Sequence, residues 1–111
     1  NTDMYSVSEY ELTILDATAV YKAKVIANGI VANIVIQAEG SWRNTDVIAV
    51  LPESLRPSTE QFISGSVRYN ESGNFVYAPA PFSISHDGNV KQRWTTDLVG
   101  YVYLHSTYII A

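Results

Sequence analysis

Hydrophobic and polar residues alternate with a period of two along most of this chain. In the stretch AVYKAKVIAN, residues 19–28, Ala23 and Val25 alternate with Lys22 and Lys24. Alternation of this kind predicts a half-buried β-strand whose lysines point to solvent. We find no internal repeat, no low-complexity tract and no segment with a helical period, so the pattern favours an all-β protein.

Turn signals separate these alternating segments. Asn28-Gly29 is typical of a two-residue type I′ hairpin, the segment NESGN at 70–74 predicts a second hairpin, and Asp87-Gly88 predicts a third with a tight two-residue turn. Three hairpins in a short chain indicate an antiparallel sheet, arranged as a jelly-roll-like β-barrel or a sandwich. The predicted strands are residues 9–15, 20–27, 30–37, 46–51, 62–69, 75–78, 82–86, 89–94 and 98–110.

Two segments are apolar at both sets of alternate positions, namely DVIAVL at 46–51 and the C-terminal run at 98–110. A strand of an antiparallel sheet normally has one wet face, so this pattern favours a second face that is covered by another layer or another subunit. A sandwich strand near its rim, with half-exposed tyrosines, is the alternative.

The segment LPESLRPS, residues 51–58, lies between two of these predicted strands. Pro52 cannot donate to a strand ladder, and Pro57 biases Arg56 towards extended backbone. We therefore predict a rigid connector that ends one strand and aims the next.

Length and composition restrict the possible functions. A chain of 111 residues with 47% hydrophobic residues can form one domain with its own core. The net charge of −4, with seven scattered Lys and Arg, argues against a nucleic-acid partner. The absence of cysteine removes disulfides and thiolate metal sites, and no apolar run approaches the roughly 18 residues that membrane insertion needs.

The N-terminal segment carries no comparable pattern. It begins on small polar residues without Met, so we expect a fragment of a longer polypeptide. We expect residues 1–19 to be the end of a neck or linker, or a first strand, and the part before about residue 9 to be mobile. Residues 20–111 would then form the main domain.

Several short motifs occur in an order that is typical of phage tail proteins. They are Leu51, Pro52, Arg56, Pro57 and Ser58, then Ile84, Ser85, Asp87, Gly88 and Val90, then Ser106, Thr107 and Tyr108. With its size and its acidic, Tyr-rich composition, the chain resembles the head domain of the receptor-binding proteins of lactococcal siphophages, over about residues 20–111.

The resemblance implies a homotrimeric, jelly-roll-like barrel at the distal tail tip, or baseplate, of a virion. Such a domain is joined to the remainder of the tail protein and docks onto saccharides of the host cell envelope. Two other functions stay open: a structural module that only trimerises a tail fibre, and a carbohydrate-binding module or carbohydrate-active enzyme domain.

The residues themselves favour binding over catalysis. The two histidines, His86 and His105, have no metal-ligand spacing, and no nucleophile elbow occurs. Nothing pairs the carboxylates as an acid and a base across a sugar. We therefore expect no enzymatic activity, no metal and no cofactor.

Saccharide recognition needs an aromatic plate together with planar polar groups. Two stretches supply both, GSWRNTD at 40–46 and SHDGNVKQRW at 85–94. The predicted ligand-binding residues are His86, Asp87, Arg93 and Trp94, with Trp42 and Arg43 as the second choice. Five strand residues from Asn89 to Trp94 span roughly 17 Å, so we expect this pocket to form between subunits, with Trp94 stacking on the sugar.

Overall fold

The structure of the protein, a computed structural model, describes residues 7–94 and 96–110. It is a single antiparallel sheet of eight strands that curls into a half-barrel, which confirms the predicted all-β class. The strands are β1 Val7–Glu11, β2 Ala17–Asn28, β3 Val31–Trp42, β4 Val47–Val50, β5 Gln61–Glu71, β6 Asn74–Ile84, β7 Asn89–Gln92 and β8 Leu98–Ile109, with a 3₁₀ turn at Glu53–Leu55.

The sheet curls far enough for its two ends to meet. The strand order is β1-β2-β3-β8-β5-β6-β7-β4, so β1 and β4 are the outer strands. The loop that follows β1 nevertheless reaches β4, because the backbone N–H of Leu15 donates to the carbonyl oxygen of Ile48 at 2.9 Å. The concave face of the sheet therefore encloses one core.

The central pair of strands, β3 and β8, decides which side chains enter this core. Their register runs without interruption from Val31↔Ile109 to Trp42↔Leu98. Even-numbered residues of both strands face inward, and those that are almost completely buried are Ala32, Ile34, Ile36, Ala38, Trp42, Leu98, Val102, Leu104 and Tyr108. Odd-numbered residues of both strands form the outer, convex face, because successive side chains alternate between the faces.

The proline-flanked connector closes one end of the core. Between its prolines the chain makes the 3₁₀ turn, in which Leu55 is buried. The hydroxyl of Tyr108 donates to the carbonyl oxygen of Leu55 at 2.8 Å, and Nε of Arg56 donates to the carbonyl oxygen of Leu51 at 3.1 Å. The predicted rigid connector thus orders a turn whose apolar side chain completes the core.

Strand β6 corrects the predicted break between residues 78 and 82. It runs through Pro79 and Pro81, pairing with β5 along its whole length but with β7 only from Phe82 to Ile84. The carbonyl oxygen of Pro81 accepts a bond from the Arg93 N–H at 3.0 Å, on the side away from β5. The N–H groups that Pro79 and Pro81 lack would point to the side of β6 that has no partner strand at these residues. Proline is tolerated at such an edge.

Two of the predicted turns are displaced. The pairing of Asn28 with Val31 makes Gly29-Ile30 the turn between β2 and β3, and the φ of 68° at Gly29 fits type II′ rather than type I′. The N–H of Ser85 donates to the carbonyl oxygen of Asn89 across the β6–β7 hairpin, so the loop inside this pair has three residues, ending on Gly88 with a φ of 90°. In the β5–β6 hairpin the turn is Ser72-Gly73, within the predicted NESGN segment, and both φ values are positive.

The N-terminal segment contributes the first strand. β1 spans Val7–Glu11, earlier than the predicted 9–15, and pairs with β2. Residues 1–6, which belong to the segment expected to be mobile, lie outside the described residues. Across residues 7–94 and 96–110, no helix is long and apolar enough to cross a membrane.

We predict that Tyr108 makes stability fall at high pH. Burial raises the pKa of Tyr108 to about 12 from an ordinary value of 10.0. Below pH 10 the phenol is neutral in both the folded and the unfolded chain. Between pH 10 and pH 12 it ionises only when unfolded, so folding stability is lost as the pH rises through this window.

Urea unfolding at pH 8, 10 and 11.5 checks this prediction. The midpoint of wild type should fall more steeply with pH than that of Tyr108→Phe, which is about 1 kcal/mol less stable than wild type below pH 10 because it lacks the hydrogen bond. Tyr10→Phe, at a position that is 39% exposed, is the matched control and should follow wild type. Parallel curves for wild type and Tyr108→Phe would contradict the prediction.

Candidate functional site

Three tyrosine rings form a stacked column on the outer face of the sheet. The centroids of Tyr101 and Tyr103 lie 4.4 Å apart at an interplanar angle of 18°, and those of Tyr21 and Tyr101 lie 5.3 Å apart at 8°. Tyr101 is therefore the middle ring of this tyrosine column. Tyr101 and Tyr103 lie at odd-numbered positions of β8, which the β3–β8 register directs outward.

Tyr21 reaches the column because β2 is irregular at this point. The register of β2 against β3 shifts between Val20 and Lys22, which leaves Tyr21 as the extra residue of a bulge. Its hydroxyl donates to Oε1 of Glu39 at 2.6 Å. This hydrogen bond, with a smaller contribution from desolvation, raises the pKa of Tyr21 above its ordinary value of 10.0.

Arg68 extends the column towards β6. Its guanidinium carbon lies 4.7 Å from the ring centroid of Tyr101 and 4.5 Å from that of Phe75, which is cation–π geometry. A hydrogen bond with Tyr77 raises the pKa of Arg68 above its ordinary value. Phe75 and Tyr77 are 64% and 63% exposed, so this part of the outer face presents aromatic surface to solvent.

A groove lies beside the column where β5 and β8 part. Pairing between these strands runs from Tyr69↔Gly100 to Gly65↔Leu104 and ends there. Further along, the side-chain amide of Gln61 spans the gap, donating to the carbonyl oxygen of Ile109 at 2.6 Å and accepting from its N–H at 3.0 Å. The groove has a volume of about 340 Å³ and is lined by Gln37, Ser64, Gly65, Ser66, Tyr103, Leu104 and His105.

Of the predicted site residues, His86 and Asp87 lie in the β6–β7 turn and are exposed. Asp87 is engaged in the turn itself. Its Oδ1 accepts bonds from Oγ of Ser85 at 2.5 Å and from the N–H of Asn89 at 3.2 Å. These two bonds hold the pKa of Asp87 below its ordinary value of 3.8, and the bond from Ser85 makes the larger contribution. The structure therefore gives Asp87 a role in shaping the hairpin.

Trp42, a second-choice residue for ligand binding, lies in the core. It is the last residue of β3, it is 1% exposed, and its Nε1 donates to the carbonyl oxygen of Leu15 at 2.6 Å. Its ring packs so closely over Gly40 that a Cβ at that position would lie 2.8 Å from Cζ2. Trp42 is a core residue and offers no face to a ligand, whereas the next residue, Arg43, is exposed.

Trp94 is half-buried and partly covered by its own chain. Its ring centroid lies 5.0 Å from that of Tyr69, and its carbonyl oxygen accepts a bond from Nδ2 of Asn44 at 2.5 Å. The neighbouring Arg93 places its guanidinium carbon 5.3 Å from the ring centroid of Phe62. Phe62 is 59% exposed, so Arg93 and Phe62 form a second aromatic and cationic pair on the surface.

Buried Gln92 links the loops that carry Trp94 and Arg43. Its Nε2 donates to the carbonyl oxygens of Arg43 at 3.1 Å and Thr96 at 3.3 Å, and its Oε1 accepts from the N–H of Trp94. The structure thus brings Arg43, Arg93 and Trp94 to one end of β7. His86 and Asp87 lie at the other end of β7. The predicted ligand-binding residues therefore do not meet within one chain. A pocket that forms between subunits stays a prediction.

The residues of the tyrosine column and the groove were not predicted as a site. A signal for them exists in the sequence, because Tyr101, Tyr103 and His105 occupy alternate positions of the C-terminal strand. This run is apolar on both faces only when tyrosine is counted as an apolar residue. That description leaves out the hydroxyl group that an exposed tyrosine offers to a ligand.

Neither a metal site nor a relative adds to this geometry. Within the described residues, no group of three or more His, Asp or Glu side chains could hold a metal ion. No protein-family model matches the chain, and no curated protein sequence matches it.

We predict that Asp87→Ala destabilises the β6–β7 hairpin and that the effect depends on pH. Because the folded-state pKa of Asp87 is depressed, its contribution to stability is present above pH 3.8 and is lost as the pH falls through the folded value. Asp87→Ala should therefore lower the urea midpoint at pH 7, and its difference from wild type should shrink as the pH falls below 3.8.

Glu60→Ala, which removes an exposed carboxylate outside this turn, is the control and should keep the wild-type midpoint. If Asp87→Ala unfolds at the wild-type urea concentration at pH 7, the hydrogen bonds of Asp87 do not stabilise the turn.

Proposed function

We propose that this chain is a non-enzymatic saccharide-binding domain through which a phage tail tip adheres to the bacterial cell envelope. The observation that carries the proposal is the tyrosine column on the outer face, next to a groove lined by hydroxyl, amide and imidazole groups. The motif resemblance to the heads of lactococcal phage receptor-binding proteins supports the same class of function.

The chemistry of the outer face suits a sugar. A pyranose presents C–H groups on its faces, which pack on aromatic rings, and hydroxyls at its rim, which need donors and acceptors. Glu39 lies at one end of the column, bonded to the hydroxyl of Tyr21, and Arg68 lies over the middle ring. Aromatic plates and planar polar groups are thus within one surface.

We further propose that the domain works as a homotrimer at the distal end of the tail, attached to the remainder of the tail protein. Support comes from an apolar cluster at the β2–β3 turn. Ile30 is 59% exposed, Val31 37% and Ile109 43%, and Val31 is paired directly with Ile109. Exposed apolar residues that adjoin one another fit a contact between subunits. Three weak sites on one body would then act together through effective concentration.

The same apolar cluster favours a second candidate, a structural module that trimerises a tail fibre and binds no saccharide. The two candidates differ in one measurable property. A trimer that fails to bind any envelope saccharide would be the structural module, whereas a trimer that binds one would be the adhesion domain.

We predict a solution mass three times the 12.3 kDa of one chain. Light scattering at micromolar concentration measures it directly. Ile109→Asp should reduce the mass because it places a charge in the apolar cluster, and Val50→Asp, at a 47% exposed position on an outer strand, is the matched control. A wild-type mass of one chain would rule out the trimer.

We also predict that Tyr101→Ala weakens binding to the cell envelope. Removing the middle ring takes away the support of both end rings, and one aromatic contact contributes about 1 kcal/mol, or roughly fivefold in affinity. Adsorption to lactococcal cells and calorimetric titration with their purified envelope polysaccharide measure the effect, with Tyr10→Ala as a control outside the column.

Trp94→Ala belongs in the same experiment, since it tests the pocket predicted between subunits. If Trp94→Ala loses binding while Tyr101→Ala keeps it, the site lies at the end of β7 and not on the tyrosine column. Release of sugar fragments during the titration would contradict the non-enzymatic part of the proposal.

A further inference from the structure

We infer that the groove between β5 and β8 binds one uncharged pyranose unit of the saccharide, with Tyr103 as the stacking plate. This inference rests on the proposed saccharide-binding function and adds to it the place of contact and the chemical class of the sugar.

The groove is a consequence of how the two strands diverge. Ladder pairing stops at Gly65↔Leu104, and the next contact along the strands is the side-chain amide of Gln61 with the backbone of Ile109. A depression therefore opens in the outer face between positions 64 and 105. Ser64 and Ser66 are exposed and small, so nothing bulky on β5 fills this depression.

Only an end ring of the tyrosine column can offer a free face to a ligand. Tyr101, the middle ring, stacks with both Tyr21 and Tyr103. Of the three rings, Tyr103 alone lines the groove, and Gln37 and His105 line it with Tyr103. A pyranose in the groove would pack its C–H face on Tyr103 while its hydroxyls meet the serine hydroxyls, the amide and the imidazole.

The depression continues across β5, which gives room for a chain of sugars. A second hollow of about 240 Å³ adjoins the first, shares Ser64 and Gly65 with it, and extends over Pro79, Ala80 and Pro81 of β6. Pro79 and Pro81 are paired with Ser66 and Ser64, so small or flat side chains form the floor on both strands. The next sugar unit of an oligosaccharide can lie there.

The lining of the groove selects against charge. The residues around the first hollow and those around the second include no Lys, Arg, Asp or Glu. An anionic unit, such as a glycerol phosphate, would lose hydration on entering the groove. No Lys or Arg side chain in the lining would compensate for that loss with an ion pair. Neutral hydroxyl groups, by contrast, find a partner of matching polarity in each of the serine, amide and imidazole groups.

The test uses the wild-type chain and lactococcal envelope glycans, separated into a neutral oligosaccharide fraction and a phosphate-bearing fraction. The groove is filled by Ser66→Leu and, independently, by Ser64→Leu, and the plate is removed by Tyr103→Ala. Two controls lie on β1: Ser8→Leu makes the same serine-to-leucine change there, and Tyr10→Ala removes a tyrosine that is 39% exposed and outside the column. Circular dichroism and mass are measured first for each variant.

We expect wild type to bind the neutral fraction more tightly than the phosphate-bearing fraction. Each groove variant should lose at least tenfold in affinity, whereas Ser8→Leu and Tyr10→Ala should stay within about threefold of wild type. Amide chemical-shift mapping of the wild type with the neutral fraction should place the largest changes at Ser64, Ser66 and His105, which does not depend on any variant folding.

The outcomes that overturn the inference differ from those that overturn the proposed function. Full binding by Ser66→Leu and Ser64→Leu, shift changes elsewhere, or a preference for the phosphate-bearing fraction would reject the groove while leaving saccharide binding intact. Absence of wild-type binding to both fractions would reject the proposed function and the inference together.

Discussion

The pairing of β3 with β8 is the constraint on which the rest of the structure depends. Their uninterrupted register places every even-numbered residue of both strands on the core side and every odd-numbered residue outside. A slip of β8 by one residue would exchange its two faces, burying Tyr101 and Tyr103 and exposing Val102 and Leu104. The same register therefore fixes both the core and the tyrosine column.

This pairing also joins parts of the chain that are distant in sequence, since Val31 meets Ile109. On its other side β8 pairs with β5, so β5 lies beside the last strand of the chain and not beside its sequence predecessor β4. Bringing such remote segments together has a large loop-closure cost, so we expect folding to be slow for a domain of this size. The local hairpins reduce that cost by ordering the intervening chain.

Most strands could be predicted because a half-buried strand leaves a period of two in the sequence. The errors have local physical causes. Pro79 and Pro81 suggested a break, yet their missing donors fall on the side of β6 that carries no partner strand. The glycine of Asn28-Gly29 was recognised, but the pairing of Asn28 with Val31 moves the turn on by one residue. Neither fact can be read from a single strand, since both depend on what its neighbours do.

The candidate site was harder to predict than the fold. Trp42 and Asp87 were chosen for their chemistry, and each is engaged in structure, one by the carbonyl of Leu15 and the other by Ser85 and Asn89. The tyrosine column depends on a β-bulge that brings Tyr21 over from β2. A bulge leaves no periodic mark, so the sequence could indicate two of the three rings at most.

The prolines of β6 have a consequence for how copies of the domain can meet. A strand with a free edge is a template for another strand, and such pairing leads to aggregation. Between Asn74 and Pro81, β6 has no partner strand on the side away from β5, and two of the N–H groups that would point there are absent. Pairing of a second copy by backbone hydrogen bonds is therefore disfavoured along this edge. Copies of the domain held close together in an assembly would then be less prone to merge their sheets at this edge than at an edge without proline.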